Sequence, residues 1–135
     1  MPTRCDRILE IRPEVNASGI TALEQFQSDT LRPIVKFQED LLIESFKSYL
    51  QAHNMLKTLT NDSSGIKIIA DTIQKDAIYK TSLVYMVVGL FSLEEFKFYS
   101  ENKKQTVKRI IDLIIIRLQS RIPQIIQSDE NQKSD

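Results

Sequence analysis

The sequence predicts an all-α protein, a single-domain bundle of five or six helices. It contains only three glycines and four prolines in 135 residues, well below the roughly 12% that these two residue types make up on average. Apolar residues recur with the α-helical period, and no stretch alternates strictly as a half-buried strand does. The interruptions fall at residues that begin or end helices.

The two ends of the chain differ from its middle. Residues 1–18 combine charge, Pro13 and the loop-forming stretch 16–19 with one short apolar cluster, so we expect an N-terminal arm that packs loosely. Residues 19–127 form the predicted bundle domain. Residues 128–135 contain no apolar side chain, which predicts a disordered acidic tail.

The first half of the domain predicts two helices. A short helix is centred on Leu23 and Phe26. Thr30 then has the character of an N-cap, with Pro33 in the first turn, where a missing N–H costs nothing. The helix that follows, over about residues 30–53, is strongly amphipathic and has one charged face.

The second half predicts a loop over residues 61–65 and an apolar stripe over 64–89. That stripe fits either one long helix or two helices broken near Asp76, and it stops at Gly89.

The sequence predicts that another helix begins directly after this stop, because Ser92 and Glu95 have the spacing of a capping box. A short helix comes next, and the last helix runs from about residue 103 until Pro123 disrupts it.

The chain lacks the residues that most catalytic and metal sites need. One His and one Cys cannot form a closed zinc site or a helical di-iron site, and the three glycines stand too far apart for a phosphate-binding loop. We therefore expect no bound metal, no cofactor and no enzyme activity. The sequence has no apolar run of signal-peptide or membrane-spanning length, which predicts a cytoplasmic protein with no membrane partner.

Charge is unevenly distributed although the total is zero. Residues 97–121 contain seven basic and two acidic side chains. A basic stripe of this kind binds nucleic acid or an anionic ligand. The stripe is short, no helix-turn-helix signature accompanies it and the tail is acidic, so the sequence argues against a nucleic-acid partner.

Two polar side chains lie on the predicted apolar face of the helix over 30–53. Gln38 either lines a polar pocket or bonds the backbone of a neighbouring segment. His53 is either a general base or ligand shared across a dimer axis, or a helix-end histidine that meets the last carbonyls.

Two runs of sequence carry a resemblance. Residues 30–36 read TLRPIVK and are followed by Gln38 and Asp40-Leu41-Leu42, and residues 89–96 read GxFSLEEF. Over most of residues 20–122 the chain resembles a family of short bacterial proteins of unassigned function, some of which carry a glyoxalase label. The resemblance implies a helical fold. A glyoxalase site needs several His and Glu ligands on a βαβββ scaffold, so the label finds no support in a chain with one His and no strand pattern.

The function that these observations favour is a non-enzymatic, self-associating helical interaction module. Ile110, Leu113 and Ile116 lie outside the main apolar arc of the last helix, and a helix that is apolar nearly all round is central in its domain or covered by another chain. We expect a homo-oligomer, most simply a dimer, with these residues in the interface.

The alternative is a bundle that binds a small molecule or an anion. Arg32, Arg117 and Arg121 are its candidate contacts, because the guanidinium fork suits carboxylate and phosphate. Gln38 and His53 are further candidates.

Overall fold

The computed structural model describes Arg4 and residues 21–133, with side chains as far as Gln127. In that part of the chain the regular structure is helical throughout and no strand occurs, which confirms the predicted fold class. A π-helical turn over Gln27–Leu31 joins the first two helices, and a 3₁₀ turn over Leu56–Thr58 follows the third. The helices are α1 (Ala22–Phe26), α2 (Arg32–Phe37), α3 (Glu39–Ala52), α4 (Ser63–Lys75), α5 (Ala77–Val88), α6 (Leu93–Glu101), α7 (Lys103–Gln119) and α8 (Ile122–Lys133).

The chain does not begin a helix at Thr30 as predicted. Thr21 is the N-cap instead, and its hydroxyl accepts the Glu24 N–H at 3.1 Å. The π-helical turn then carries α1 directly into α2. Thr30 is buried and its hydroxyl donates to Glu95 Oε2 at 2.8 Å. This residue joins two distant segments, which local sequence cannot reveal.

The apolar stretch over 64–89 forms two helices. Asp76 separates them with an extended backbone (φ −108°, ψ 97°), and its carboxylate accepts the Tyr79 N–H at 3.0 Å. Asp76 therefore ends α4, because its backbone is extended, and begins α5, because its side chain caps the first turn. The helix α5 then ends at Val88, beside Gly89, as the sequence predicts.

The core is built around α7. This helix packs against α2, α3, α4, α5 and α6. Its inward side chains are buried aliphatic residues: Ile110, Ile111, Ile114, Ile115 and Leu118. The rest of the same chain thus encloses α7 along one side, which is the alternative to coverage by a second chain.

The predicted arm and the side chains of the predicted tail fall largely outside the part of the chain that the structure describes. The helix α7 ends before Pro123, which lies in the first turn of α8, and α8 runs on to Lys133 inside the predicted tail. The side chains after Gln127 lie outside the described residues, so the predicted disorder of 128–135 stays a prediction. The predicted arm over 1–18 also lies outside them, apart from Arg4, whose guanidinium donates to backbone carbonyls of the α5–α6 connection at 2.9 Å.

The capping box at the start of α6 is complete. Ser92 Oγ accepts the Glu95 N–H at 3.1 Å, and Glu95 Oε1 accepts the Ser92 N–H at 2.8 Å. Because Glu95 Oε2 also accepts the Thr30 hydroxyl, this one carboxylate fastens α6 to the π-helical turn. A cap that looks purely local in the sequence is therefore also a tertiary contact.

We expect Ser92→Ala to lower the free energy of unfolding by about 1 kcal/mol through loss of the cap. Glu95→Ala should cost at least as much, because it also leaves the buried Thr30 hydroxyl without an acceptor. The neighbouring exposed residue supplies the control, Glu94→Ala, which should change the urea midpoint little. A Glu95→Ala variant as stable as Glu94→Ala would contradict the tertiary role of Glu95.

Among the residues that the structure describes, one charged side chain lies in the core. Lys47 on α3 is 1% exposed, and its Nζ atom has no hydrogen-bond partner within that part of the chain. Burying an ammonium without a partner costs free energy that a well-packed apolar side chain avoids. Lys47 therefore opposes folding where its aliphatic neighbours on α3 favour it.

Replacing Lys47 with Met should accordingly raise the free energy of unfolding by about 1 to 3 kcal/mol, because Met keeps the length of the side chain and removes the charge. Chemical denaturation measures this, with Lys57→Met at an exposed position as the control. A destabilised Lys47→Met variant would show that the ammonium is satisfied in the folded protein.

Candidate functional site

A surface groove runs between the α1–α2 region and the outward side of α7. It consists of two adjoining depressions of about 470 and 490 Å³, which share Arg32, Leu113 and Ile116. We call it the basic-apolar groove. Its cationic lining residues are Arg32, Lys36, Lys108, Arg109 and Arg117, and its apolar lining residues are Leu23, Val35, Leu113 and Ile116.

Helical spacing produces both sides of this groove. One side of α7 is buried in the core. The opposite side lines the groove with residues 109, 112, 113, 116 and 117, which are neighbours on the helix surface because they are three or four positions apart. On the facing wall, Arg32 and Lys36 are one turn apart on α2. The groove therefore combines an apolar strip with a basic rim.

The predicted interface residues on α7 have three different environments. Ile110 is 0% exposed, so its prediction as an interface residue is wrong: the buried arc of α7 is one position wider than the sequence indicated. Leu113 is half-buried in the wall of the groove, and Ile116 is 62% exposed at its centre.

The three predicted arginines are not equivalent. Arg32 is exposed in the groove, and in the described part of the chain its side chain makes no hydrogen bond or ion pair. Arg117 also lines the groove, with Nη1 3.7 Å from Glu39 Oε1. Arg121 is outside the lining, and its Nε donates to the same oxygen at 2.5 Å. Glu39 therefore binds the Arg121 guanidinium, and the role of Arg121 as a ligand contact stays a prediction.

Sequence reasoning missed some of the groove. Lys36 lies on the charged face that the sequence predicts for the helix over 30–53, and Lys108 and Arg109 lie within the basic stretch over 97–121. Arg109 donates to Gln27 Oε1 at 2.7 Å across the groove, which fixes its guanidinium against the π-helical turn. The spacing of four residues between Arg32 and Lys36 is the sequence signal that could have placed both cations on one face of a helix.

Gln38 and His53 lie away from this groove. Gln38 Nε2 donates to the Met86 carbonyl at 2.7 Å, the backbone contact that was one of its two expected roles. His53 caps the end of α3, with Nδ1 2.9 Å from the Tyr49 carbonyl oxygen, as expected for a helix-end histidine.

His53 also lines a separate open groove of about 740 Å³ beside the α4–α5 junction; we call this the aromatic groove.

In the part of the chain that the structure describes, no three His, Cys, Asp or Glu side chains are grouped so as to hold a metal ion. No helix there is long and apolar enough to cross a membrane. No family model, curated protein or solved structure matches the chain. The resemblance to short helical bacterial proteins therefore stays a prediction.

Asp76, at the edge of the aromatic groove, makes stability depend on pH. The Tyr49 hydroxyl and the Tyr79 N–H donate to its carboxylate and lower its pKa below the ordinary value. A group with a lowered pKa in the folded state stabilises the protein above its unfolded pKa and ceases to do so as the pH falls through the folded pKa.

The stability difference between wild type and Asp76→Asn should therefore be larger near about pH 6 than near about pH 3. Asn still accepts the helix N–H, so the comparison isolates the charge. Urea unfolding at both pH values measures it, with Asp40→Asn on the exposed face of α3 as the control. A difference independent of pH would contradict the assignment.

Proposed function

We propose that this protein is a non-enzymatic interaction module that docks an acidic, amphipathic helical segment of a partner protein in the basic-apolar groove. The observation that carries the proposal is the 62% exposure of Ile116, an aliphatic residue on the central helix of the core, with cationic side chains on both sides of it.

The apolar strip supports a protein partner. Leu113 and Ile116 are adjacent on one face of α7, and Leu23 and Val35 lie in the facing wall. A helix whose apolar residues recur at intervals of three and four fits into a groove between two helices. Covering Ile116 in this way removes apolar surface from water, which favours association.

The charge of the rim selects the partner. Five cationic lining residues accompany one acidic residue, Asp112. Glu39 partly neutralises Arg117 from the side, whereas Arg32 makes no such pair. A partner with carboxylates flanking its apolar stripe is therefore electrostatically complementary, and a basic partner is repelled.

The same charge disfavours the second copy that the sequence predicts as the partner. In a twofold pair the same patch faces itself. Two copies of the basic rim would meet across the axis, with Arg32 and Lys36 of each protomer near the like charges of the other. The groove is therefore better suited to a different chain.

Nucleic acid fits the apolar strip poorly. Binding to single strands uses aromatic side chains on which bases stack, and no aromatic residue lines the groove. Leu113 and Ile116 occupy the central position where such a platform would be needed.

The test uses a synthetic helical peptide of about five turns, with Leu at intervals of three and four and Glu elsewhere, and fluorescence anisotropy as the readout. We expect saturable binding that weakens as salt is raised. The same peptide with Lys in place of every Glu is the charge control, and it should not bind.

Two variants locate the site. Ile116→Ala should weaken binding about tenfold, close to the value of one buried aliphatic side chain. Arg32→Ala should weaken it several-fold and reduce the salt dependence. Leu93→Ala, at an apolar position that is 74% exposed on α6, is the matched control and should bind as wild type does.

Three results would overturn the proposal. The first is equal binding of the Lys peptide. The second is displacement of the Glu peptide by a single-stranded oligonucleotide, which would indicate a nucleic-acid site. The third is a dimer in sedimentation equilibrium that Ile116→Ala dissociates, which would indicate self-association through this face.

A further inference from the structure

We propose that the aromatic groove is a separate binding site for a planar heteroaromatic molecule that carries a cationic group with paired N–H donors. The proposal is independent of the proposed function, because none of the described residues that line the basic-apolar groove lines this site. It lies where the end of α3 meets the α4–α5 junction.

Three rings form a continuous stack that ends at this groove. The ring centroids of Tyr79 and Tyr49 are 4.2 Å apart with an interplanar angle of 21°, and those of Tyr49 and His53 are 4.1 Å apart with an angle of 23°. Tyr49 covers one face of the His53 ring. His53 is exposed, and within the described residues no ring covers its other face. A planar ligand would continue the stack by one layer.

Hydrogen bonds hold this platform in place. The Tyr49 hydroxyl donates to Asp76 Oδ2 at 2.6 Å, and the Tyr79 hydroxyl lies 3.2 Å from Ser45 Oγ. His53 Nδ1 is fixed 2.9 Å from the Tyr49 carbonyl oxygen. A ring already held in its binding orientation loses little freedom when a ligand arrives, so a preformed platform favours binding.

The walls of the groove are suited to the edges of a small molecule. Met55 and Ile68 are half-buried in its lining, and Ile78 is 84% exposed at its rim. Its volume of about 740 Å³ lies within the usual range for small-molecule sites, roughly 300 to 1,000 Å³. A ligand seated on His53 would cover the exposed part of Ile78.

The polar groups select a cationic donor. Asp71 and Asp76 line the groove, and Lys75 is the one lysine or arginine in its lining among the described residues. The bonds from Tyr49 and from the Tyr79 N–H keep Asp76 ionised by lowering its pKa. Within the described residues the Asp71 carboxylate accepts no hydrogen bond, so it is open to a ligand. Two N–H donors side by side suit a carboxylate, as the arginine fork shows.

The test uses 2-aminobenzimidazole, a planar cation with paired N–H donors, and proton NMR. His53 is the only histidine in the chain, so its two ring C–H signals report this site alone. We expect both signals to move upfield and to saturate, because a ring stacked on the imidazole shields them. Benzimidazole-5-carboxylate is the anionic planar control and guanidinium is the control without a ring; neither should produce the shift.

Three variants separate the contributions. Asp71→Asn should raise the dissociation constant several-fold through loss of charge, and Ile78→Ala should raise it through loss of apolar contact. Asp62→Asn is the control for loss of one carboxylate, since Asp62 lies at the start of the same helix, α4, but outside the groove. It should bind as wild type does.

A lack of saturation at about 1 mM ligand, an equal response to the anionic control, or wild-type affinity in Asp71→Asn would each overturn the proposal. Competition by the Glu-rich helical peptide would also overturn it, because the two grooves would then not be separate sites.

Discussion

The burial of one face of α7 is the constraint on which the rest of the structure depends. The helices α2 to α6 all pack against this one helix, and its inward aliphatic residues are buried between them. Those side chains supply the apolar burial that offsets the entropy of ordering the chain. Each neighbouring helix is placed by the part of that surface it covers.

This constraint also produces the candidate site. Once the inward arc of α7 faces the core, helical geometry turns Arg109, Leu113 and Ile116 outward together. The approach of α1 and α2 along that side leaves a groove, and the cationic residues of both walls are brought opposite one another. Glu39 adds a fixed link, since it binds Arg121 at the α7–α8 junction and lies 3.7 Å from Arg117.

The second groove has a different origin. Asp76 ends α4, starts α5 and binds the Tyr49 hydroxyl, so one side chain sets both the helix junction and the position of the ring stack. Among the described residues, the two grooves share no lining residue.

Much of the fold was predictable because its signals are local. The capping box at Ser92 and the helix stop beside Gly89 need only residues a few positions apart. Periodicity likewise predicts the buried arc of α7, apart from Ile110. The sequence does not decide whether residues 64–89 form one helix or two helices broken near Asp76, because an N-cap aspartate and an exposed mid-helix aspartate look alike in sequence.

The parts that were not predictable depend on contacts between distant segments. A helical wheel gives the direction of a side chain but not what lies opposite, so Ile110 and Ile116 looked alike although one is buried and the other exposed. For the same reason the sequence does not predict that Thr30 binds Glu95 or that Arg121 binds Glu39, since the partners in each pair are far apart along the chain. The roles of Arg32 and Arg117 as ligand contacts stay predictions, and only the structure places the two residues in one groove.

Residue-resolved hydrogen exchange of the native protein tests the central role of α7 most directly. If the enclosed face of α7 supports the whole fold, the amides of residues 110–118 exchange only through global unfolding, and their protection equals the free energy of unfolding measured with urea. Exchange of these amides at a lower free energy than those of α3 or α5 would contradict the account, because α7 would then open while the helices around it stay folded.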